Sequence, residues 1–498
     1  MAMDAHDPLS PVTVTPQPVD DSPADAERRR LLHALLASGT LAVTASCTRS
    51  TPADDERWVH DISRIDETQV AQVLRPSSVV ALAQALARSR GAVSLGGARC
   101  SMGGQIVAPG SLHLDLRALD RPVWLDPARR RIRVQTGMRW RELQELIDPH
   151  GLAVSIMQSY SSFSVGGSLS VNCHGRYVGK GSLIHSLRAL QLVDGDGHVH
   201  ELSREHRPDW FHAAVGGYGG LGAITEAEFD LSANHRIARR AERVALDDYP
   251  TWFAQRVLAD PASVLHNADL MPLRFDAPVA VTWTRCEEPL TVSERLVPRD
   301  GDYRHDQRMI WSVSELPGGS WLRERYSIEQ MLREREVVWR NHEASLDIAE
   351  LEPKTRRYST YLLQEYFVPV DAFASFARAM ARVLRGNEVQ ALNVSIRHAP
   401  ADRHSLLSWA PNDVFSFVLY HKQRSGERAD AVAGQWTRRL IDIALDHGGR
   451  HYLPYRLHAT REQFLRGYPG AARFAELKRT VDPRGRFRNK LWDKYLPG

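Results

Sequence analysis

Cysteine is scarce in this chain of 498 residues, which has only Cys47, Cys100, Cys173 and Cys286. No C-x-x-C pair is present, so the sequence predicts neither a disulfide scaffold nor a paired-cysteine metal site, and we expect no metal. Lysine is also scarce, and arginine supplies most of the positive charge. The net charge is only +4, and no basic run is interleaved with aromatic residues, which argues against a nucleic-acid partner.

The sequence also lacks an apolar run of the length that a transmembrane helix requires. The best candidate, Ala34–Ala45, follows Arg28-Arg29-Arg30-Leu31-Leu32, and this combination is typical of a twin-arginine export signal. We therefore expect a twin-arginine signal peptide over 1–47 and a periplasmic or cell-envelope location. Two processing routes stay open, namely cleavage after Ala45 and lipid attachment at Cys47 within a lipobox-like sequence.

Glycine, by contrast, is concentrated in three clusters. The first, Ser94–Gln105, follows a predicted helix over Val79–Arg88 and a predicted short strand over Ala92–Leu95. Glycine lets the backbone approach a ligand closely, successive N–H groups form a nest that suits phosphate, and Arg99 adds positive charge. The cluster does not match the G-x-G-x-x-G pattern that opens a helix, which excludes a Rossmann site here. Read alone, it is more typical of an ordinary turn.

The second and third clusters change that interpretation. Tyr160–Arg176 and Ala213–Ala227 follow in order along the chain. Together with the first, they resemble the flavin-binding domain of the vanillyl-alcohol oxidase and p-cresol methylhydroxylase superfamily, which includes aldonolactone and alditol oxidases. The resemblance covers about 75–231 and resumes at Val481–Asn489.

Strand-like alternation and helical periodicity mix along the chain, which favours an α+β fold. We predict helices over 323–340, 371–384 and 430–447. The resemblance implies a two-subdomain, p-cresol methylhydroxylase-type FAD-binding domain and a cap domain made of an antiparallel sheet with flanking helices. The corresponding ranges are 48–69 for a lead-in, 70–235 for the FAD-binding domain, 236–455 for the cap or substrate domain, and 456–498 for a segment returning to the FAD-binding domain.

The resemblance also assigns the residues that would bind FAD. The first loop would wrap the pyrophosphate with backbone N–H groups, the second would pass beside the ribityl chain and the isoalloxazine ring, and the third would meet the adenine. The residues assigned in this way are Gly96, Gly97, Ala98, Arg99, Cys100, Ser101, Gln105, Gly166, Gly167, Ser168, Asn172, Gly175, Gly222, Ile224 and Asn489.

Cys100 stands where many members of that superfamily carry the histidine that attaches the flavin covalently. Histidyl attachment at this position is therefore excluded, and the resemblance implies noncovalent FAD. A thioether from Cys100 to the flavin is the alternative, and a small buried structural residue is the third interpretation. Cys173 would border the flavin ring.

Catalytic candidates come from three later patches and from the second glycine cluster. Asn393, Ser395 and Arg397 alternate onto one face of a predicted strand, and a polar face on an apolar strand indicates either a cavity or a solvated edge. The resemblance suggests Arg397 for charge stabilisation and Glu365 as hydrogen-bond partner or base. Tyr455 would be a donor or base, at a position where several relatives have lysine.

Two histidines are further candidates. His174 lies in the second cluster, where the resemblance puts it near the flavin or the substrate. His421 is a candidate as well, against the interpretation of a buried structural histidine.

The implied function is that of an FAD-dependent oxidoreductase. It would oxidise a hydroxyl-bearing small molecule, namely a sugar, polyol or lactone, by hydride transfer to flavin N5, with oxygen or another electron acceptor reoxidising the flavin. Two alternatives stay open. One is amine oxidation of the cytokinin-dehydrogenase kind, and the other is a flavin-fold protein that binds a ligand without turnover.

Overall fold

The structure is a computed structural model that describes residues 57–272, 274–299, 301, 304–315, 328–351 and 355–496. The predicted signal peptide over 1–47 and the first part of the predicted lead-in, 48–56, lie outside these residues. Within the described ranges, no helix has both the length and the apolar character needed to span a bilayer.

The strands pair into four sheets. In chain order they are β1 (Trp58–His60), β2 (Glu67–Gln69), β3 (Gln72–Leu74), β4 (Val93–Gly96), β5 (Leu112–Asp115), β6 (Pro122–Asp126), β7 (Arg131–Gln135), β8 (Leu152–Val154), β9 (Leu187–Val193), β10 (Val199–Ser203), β11 (Ala223–Ala233), β12 (Arg236–Arg243), β13 (Ser263–Leu270), β14 (Val279–Arg285), β15 (Val337–Trp339), β16 (Ser359–Pro369), β17 (Gln390–Ala399), β18 (Val414–Arg424) and β19 (Arg450–His451).

The α-helices connect and cover these sheets. In chain order they are α1 (Val79–Arg88), α2 (Trp140–Ile147), α3 (Val165–Val171), α4 (Pro208–Ala214), α5 (Tyr249–Phe253), α6 (Arg304–Glu315), α7 (Arg340–Glu343), α8 (Phe373–Gly386), α9 (Glu427–Asp446), α10 (Arg461–Gly467), α11 (Ala471–Val481) and α12 (Lys490–Tyr495). A further helical stretch covers 328–333.

A small parallel sheet, in the order β3-β5-β4, carries the first glycine loop at the end of β4. Helix α1 connects β3 to β4 and buries Leu82 and Leu86. The C-terminal segment returns to this sheet, because the Val93 N–H donates to Arg486 O at 2.7 Å and the Arg488 N–H donates to Val93 O at 2.9 Å. The return brings the end of the chain beside the first loop.

A second sheet has six antiparallel strands in the order β10-β9-β11-β7-β6, with β8 paired to β11. Helix α2 packs against it through Trp140, whose ring meets the edge of Phe229 on β11 at 5.6 Å between centroids. The second glycine loop leads into α3, and the third lies between α4 and β11. The large central core joins this sheet to the next one.

The third sheet is the largest of those described and has eight antiparallel strands in the order β15-β12-β14-β13-β17-β18-β16-β19. Helices α8 and α9 pack together, and both contact β16. Phe373 and Phe376, three positions apart on α8, reach Phe415 and Phe417 on β18 with centroid distances of 5.0 and 4.9 Å. This spacing puts one apolar helix face on the sheet.

The helices predicted over 371–384 and 430–447 are confirmed as α8 and α9. The prediction over 323–340 is wrong at its C-terminal end, where Val337–Trp339 forms strand β15. Val337 and Val338 are buried there against Ala238 and Ile237 of β12. Pairing with an existing sheet outweighs the weak helical periodicity of this apolar and aromatic triplet. Residues 323–327 lie outside the described ranges.

Candidate active site

All three glycine clusters line one cavity. It contains about 1380 Å³ of space free of protein atoms, counting its open mouth. Residues of the eight-stranded sheet and of the segment after β19 close one end. The cavity is therefore a long slot with glycine-rich backbone along it and side chains of the eight-stranded sheet at its end.

The first loop is tied directly to the second. The Ala98 N–H donates to Ser164 Oγ at 3.2 Å, and the same oxygen accepts the Gly167 N–H at 3.4 Å as the N-cap of α3. A Cβ on Gly97 would collide with Ser164 Oγ. Arg99 has φ of 59°, in the left-handed region that is uncommon for a residue with a side chain. The two loops thus fit together only because glycine occupies the contact.

Thr136 connects the second loop to the third. Its backbone oxygen accepts the Gly166 N–H at 2.7 Å, and its Oγ1 donates to Ile224 O at 2.5 Å. A Cβ on Gly222 would lie 2.6 Å from Val193 O. The third loop therefore also packs with its backbone against β9.

Glu365 on β16 is the centre of the polar end of the cavity. It is 3% exposed, and its Oε1 lies 2.5 Å from His174 Nε2. Its Oε2 accepts a hydrogen bond from Tyr455 OH at 3.2 Å. Because a carboxylate only accepts, the Nε2 atom of His174 carries the proton that is shared with Glu365. These three predicted residues come together although they are far apart in the chain.

The charge state of this group follows from its surroundings. Burial alone would raise the pKa of Glu365, but His174 and Arg397 outweigh it, and the net effect lowers the pKa. Burial and the neighbouring Glu365 raise the pKa of Tyr455 well above its ordinary value. Glu365 is therefore ionised near neutral pH and Tyr455 is protonated, so Tyr455 is a hydrogen-bond donor rather than a base.

Arg397 lines the same cavity from β17, where Val394 and Ile396 point into the core and Arg397 occupies the other face. Asn393, on the same strand, does not line the cavity. Its Nδ2 donates to Asp269 Oδ1 at 2.8 Å, on the neighbouring strand β13. Of the two polar residues Asn393 and Arg397 on this face of β17, only Arg397 therefore lines the cavity.

Most of the residues assigned to FAD line the cavity, and three do not. Ser168 bonds to Gln158 and to Ser164 O behind the loop, and Asn172 bonds to Asp402 and Ser405. Gly175 packs with its Cα against Met157 O. The lining residues are Gly96, Gly97, Ala98, Arg99, Cys100, Ser101, Gln105, Gly166, Gly167, Gly222, Ile224 and Asn489. His421 lies in the core, 1% exposed and edge-on to Trp436 at 5.2 Å.

Several lining residues were not predicted from the sequence. Ser164 and Tyr218 belong to the glycine clusters, so their neighbours carried a signal. Leu363 belongs to the patch that carries Glu365, whereas Thr136 and Ile348 lie outside any motif, and only the fold brings them to the cavity. Tyr452 stands three residues before Tyr455 and is also part of the lining.

Comparison with known proteins agrees with this geometry. The family model described as FAD binding domain matches residues 69–203, and that described as D-arabinono-1,4-lactone oxidase matches 321–495. Alditol oxidase from Streptomyces sp. (strain IKD472 / FERM P-14339) is 35% identical over 170 residues, covering 34% of this chain and 40% of the relative. Decaprenylphosphoryl-beta-D-ribose oxidase from Mycolicibacterium smegmatis is 23% identical over 467 residues, covering 85% and 94%. The chain thus carries an FAD binding domain, followed by a region that is similar to D-arabinono-1,4-lactone oxidase.

L-galactono-1,4-lactone dehydrogenase 1, mitochondrial, from Oryza sativa subsp. japonica is 30% identical over 188 residues, covering 37% of this chain. That match spans 32% of the rice protein, and the alditol oxidase match spans 40% of its relative. The chain thus aligns with less than half the length of either of these two relatives.

The cavity residues fit FAD. Ser101 Oγ, Arg99 Nε and Arg397 Nε are buried in the cavity wall without a hydrogen-bond partner among the described residues. Buried polar groups are nearly always paired, so these donors are suited to ligand oxygens. Gly97 and Gly222 keep the slot open where a Cβ would force the backbone away. The first-loop residues would hold the pyrophosphate and Arg397 would lie at the ring end.

Two cysteines line the cavity as well. Cys100 is half-buried, and its Sγ donates to Ala98 O at 3.4 Å. Cys173 is buried, and that burial raises the pKa of its thiol. Cys173 is thus a protonated, unreactive neighbour of His174 at neutral pH.

Proposed function

We propose that this protein oxidises a hydroxyl-bearing small molecule, namely a sugar, polyol or lactone, with oxygen or another acceptor taking the electrons. The observation that carries the proposal is the ionised Glu365, bonded to both His174 and Tyr455 at the end of the glycine-lined cavity. Bound FAD would supply the hydride acceptor. Oxidation of an alcohol also requires that the hydroxyl proton be removed, and an ionised carboxylate in a dry site is suited to that step.

In this proposal the Tyr455 hydroxyl turns from Glu365 Oε2 to the substrate oxygen when substrate binds, which frees Oε2 to accept the substrate proton while Oε1 stays engaged by His174 Nε2 at 2.5 Å. Tyr455 orients the substrate oxygen as a hydrogen-bond donor. Arg397 balances the negative charge that develops in the cavity. Glu365 and His174 then share the proton until solvent removes it.

We further propose that the eight-stranded sheet with α8 and α9 forms the cap over the redox end, and that the parallel and six-stranded sheets form the two subdomains that bind the dinucleotide. The support is that Glu365 and Arg397 enter the cavity from the former sheet. Noncovalent FAD is part of the proposal. Acid precipitation of purified protein tests it. Flavin in the supernatant supports noncovalent binding, whereas flavin that stays in the pellet, but moves to the supernatant in Cys100→Ser, contradicts it.

The deciding experiment is anaerobic mixing of the yellow holoenzyme with a panel of polyols, aldonolactones and amines. Bleaching of the flavin absorbance by a polyol or lactone supports the proposal. Bleaching by amines alone would favour the cytokinin-dehydrogenase-like alternative. A preparation that binds FAD but is bleached by no compound would favour a binding protein without turnover.

We propose twin-arginine export to the periplasm or cell envelope, on the strength of Arg28-Arg29-Arg30-Leu31-Leu32 and the following apolar run. Expression with Arg28, Arg29 and Arg30 replaced by lysine tests it, since the full-length precursor should then stay in the cytoplasm. Mass measurement of the mature protein distinguishes cleavage after Ala45 from lipid attachment at Cys47.

A further inference from the structure

Asp402, in the loop between β17 and β18, is a buried carboxylate that the proposed chemistry does not use. It is 2% exposed. Its Oδ1 accepts the backbone N–H groups of His404 and Ser405 at 2.9 and 3.1 Å. Its Oδ2 accepts the side chains of Asn172, Ser182 and Ser405 at 2.8, 2.9 and 2.7 Å. Its partners are neutral donors, and together they compensate a charge that would be costly to bury alone.

Two of these partners hold the segment that carries His174. Asn172 stands two residues before it, in the left-handed conformation with φ of 47°, as the C-cap of α3. Asn172 Oδ1 accepts the Ile184 N–H at 3.1 Å, which fixes the orientation of the amide with Nδ2 toward Asp402. Ser182 is paired to His174 itself through an isolated β-bridge. Asp402 therefore binds both the residue two positions before the histidine and the residue paired across from it.

The Asp402 loop also covers the histidine ring. Trp409, in this loop, donates from Nε1 to Asn172 O at 2.9 Å. Its ring lies 4.9 Å from the His174 ring and stacks on Phe367 at 4.2 Å. The position of this aromatic wall thus depends on the same loop.

His174 needs this support because its other nitrogen contributes none. Nδ1 is buried without a hydrogen-bond partner among the described residues. Second hydrogen bonds usually orient a functional imidazole. Here the ring is oriented only by Glu365, by packing and by its own backbone.

We infer that Asp402 is a positioning residue, which holds His174 at hydrogen-bond distance from Glu365 by binding Asn172 and Ser182. The inference rests on the proposed function only for its kinetic consequence, since the position of the ring can be measured without turnover. It predicts that the ring moves when the link to Asn172 is broken.

Asp402→Asn breaks that link selectively. Oδ1 would keep both bonds to the loop backbone, so the loop can still fold. The Nδ2 atom of the new asparagine would replace Oδ2 and face Asn172 Nδ2, and two N–H donors cannot bond each other. The double variant, Asn172→Asp with Asp402→Asn, exchanges the two side chains, so that one donor again faces one acceptor and the site keeps a single carboxylate. Aspartate at position 172 also tolerates the left-handed conformation found there. Asp413→Asn is the matched control, because Asp413 is exposed and accepts the Ala401 N–H at 2.9 Å in the same loop.

The readout is the ring resonance of His174 in ¹⁵N-histidine-labelled holoenzyme at pH 7, identified by its absence in His174→Gln. We expect this resonance to shift in Asp402→Asn, to return in the double variant, and to stay unchanged in Asp413→Asn. FAD content should be retained. Flavin reduction by xylitol, or by the panel compound that reduces it fastest, should slow by roughly 10- to 100-fold, as expected for a misplaced catalytic group, and recover in the double variant.

An unshifted His174 resonance in a folded Asp402→Asn protein would overturn the inference. So would a shift that the double variant does not reverse. If Asp402→Asn does not fold, Ser182→Ala decides, because it removes a single donor to Asp402. A shifted resonance then supports the role, and an unchanged one refutes it. A protein that no panel compound reduces would refute the proposed function while leaving this readout intact.

Discussion

The Oγ atom of Ser164 accepts the Ala98 N–H at 3.2 Å and the Gly167 N–H at 3.4 Å. One hydroxyl therefore caps a helix and holds two glycine loops together. The contact is close, because a Cβ on Gly97 would overlap the same oxygen. The width of the slot that would hold FAD is set by this pair of residues.

Gly97→Ala should weaken FAD binding by roughly 5- to 150-fold, because the added methyl overlaps Ser164 Oγ, and moving that hydroxyl or the backbone to relieve the overlap costs roughly 1–3 kcal/mol. The measurement is the ratio of flavin to protein absorbance, followed by titration of the apoprotein with FAD. Gly91→Ala is the matched control, since nothing lies within 4 Å of a Cβ there. Equal FAD affinity in the two variants would contradict the assignment of this loop.

Glu365→Gln should lower the rate of flavin reduction by roughly 10²- to 10⁴-fold, the usual contribution of a positioned base. The amide keeps the shape of the side chain and removes its charge. Stopped-flow reduction with the best panel substrate measures the effect. Adding Gln364→Glu to the Glu365→Gln variant should not restore activity, because the side chain at position 364 bonds Thr437 away from the cavity. A rate within 10-fold of the wild-type rate would exclude Glu365 as the base.

The same residue predicts a dependence of stability on pH. Although burial would raise it, His174 and Arg397 bring the pKa of Glu365 below its ordinary value of 4.5. A carboxylate with a lowered pKa stabilises the fold fully above that value and loses the contribution as the pH falls below it. The Tm difference between wild type and Glu365→Gln should therefore be constant from pH 7 to 5 and narrow below about 4.5. If the folded pKa were raised instead, the Tm difference would change with pH above 4.5 and would be constant below it.

The sequence was sufficient to predict elements whose periodicity is strong and whose partners are near in the chain. Helix α1 begins and ends at the predicted residues, and Arg397 alternates onto the cavity face of β17 as expected. The glycine clusters were recognisable because backbone contacts restrict the residue type. The triplet Val337–Trp339 was misassigned because its strand partner, β12, is about a hundred residues away.

Contacts between distant segments could not be predicted in the same way. No spacing in the sequence indicates that Thr136 bonds to Ile224, or that Asp402 bonds to Asn172. The face of β17 was predicted, but Asn393 reaches Asp269 on β13 because of the pairing order of the sheet. Such relationships depend on which strands become neighbours, and local propensity carries no information about that.

Lys478→Met should destabilise the fold by ~1–3 kcal/mol, the usual effect of leaving buried polar groups without a partner. Lys478 Nζ donates to Gly220 O, Asp482 Oδ2 and Phe487 O at 2.7, 2.9 and 2.9 Å. It thereby joins the C-terminal segment to the third glycine loop. Urea unfolding measures the change, with the exposed neighbour Arg479→Met as control. An unchanged midpoint would show that this junction contributes nothing to stability.

Tyr455→Phe tests whether Tyr455 is a donor or a base. Its hydroxyl bonds Glu365 Oε2 at 3.2 Å, and burial together with that carboxylate raises its pKa well above the ordinary value, so it stays protonated throughout the working range. In the proposed reaction this hydroxyl donates to the neutral substrate oxygen, and loss of that hydrogen bond is worth about 1 kcal/mol, so we expect flavin reduction to slow by roughly 5-fold. The shape of the rate profile between pH 6 and 9 should not change, because the group that titrates is not this phenol. If Tyr455 were instead the base, Tyr455→Phe would lose as much rate as Glu365→Gln, and the wild-type rate would rise with pH across this range while the rate of the variant would not. Measuring both variants with one substrate across that pH range therefore assigns the proton acceptor to one residue or the other.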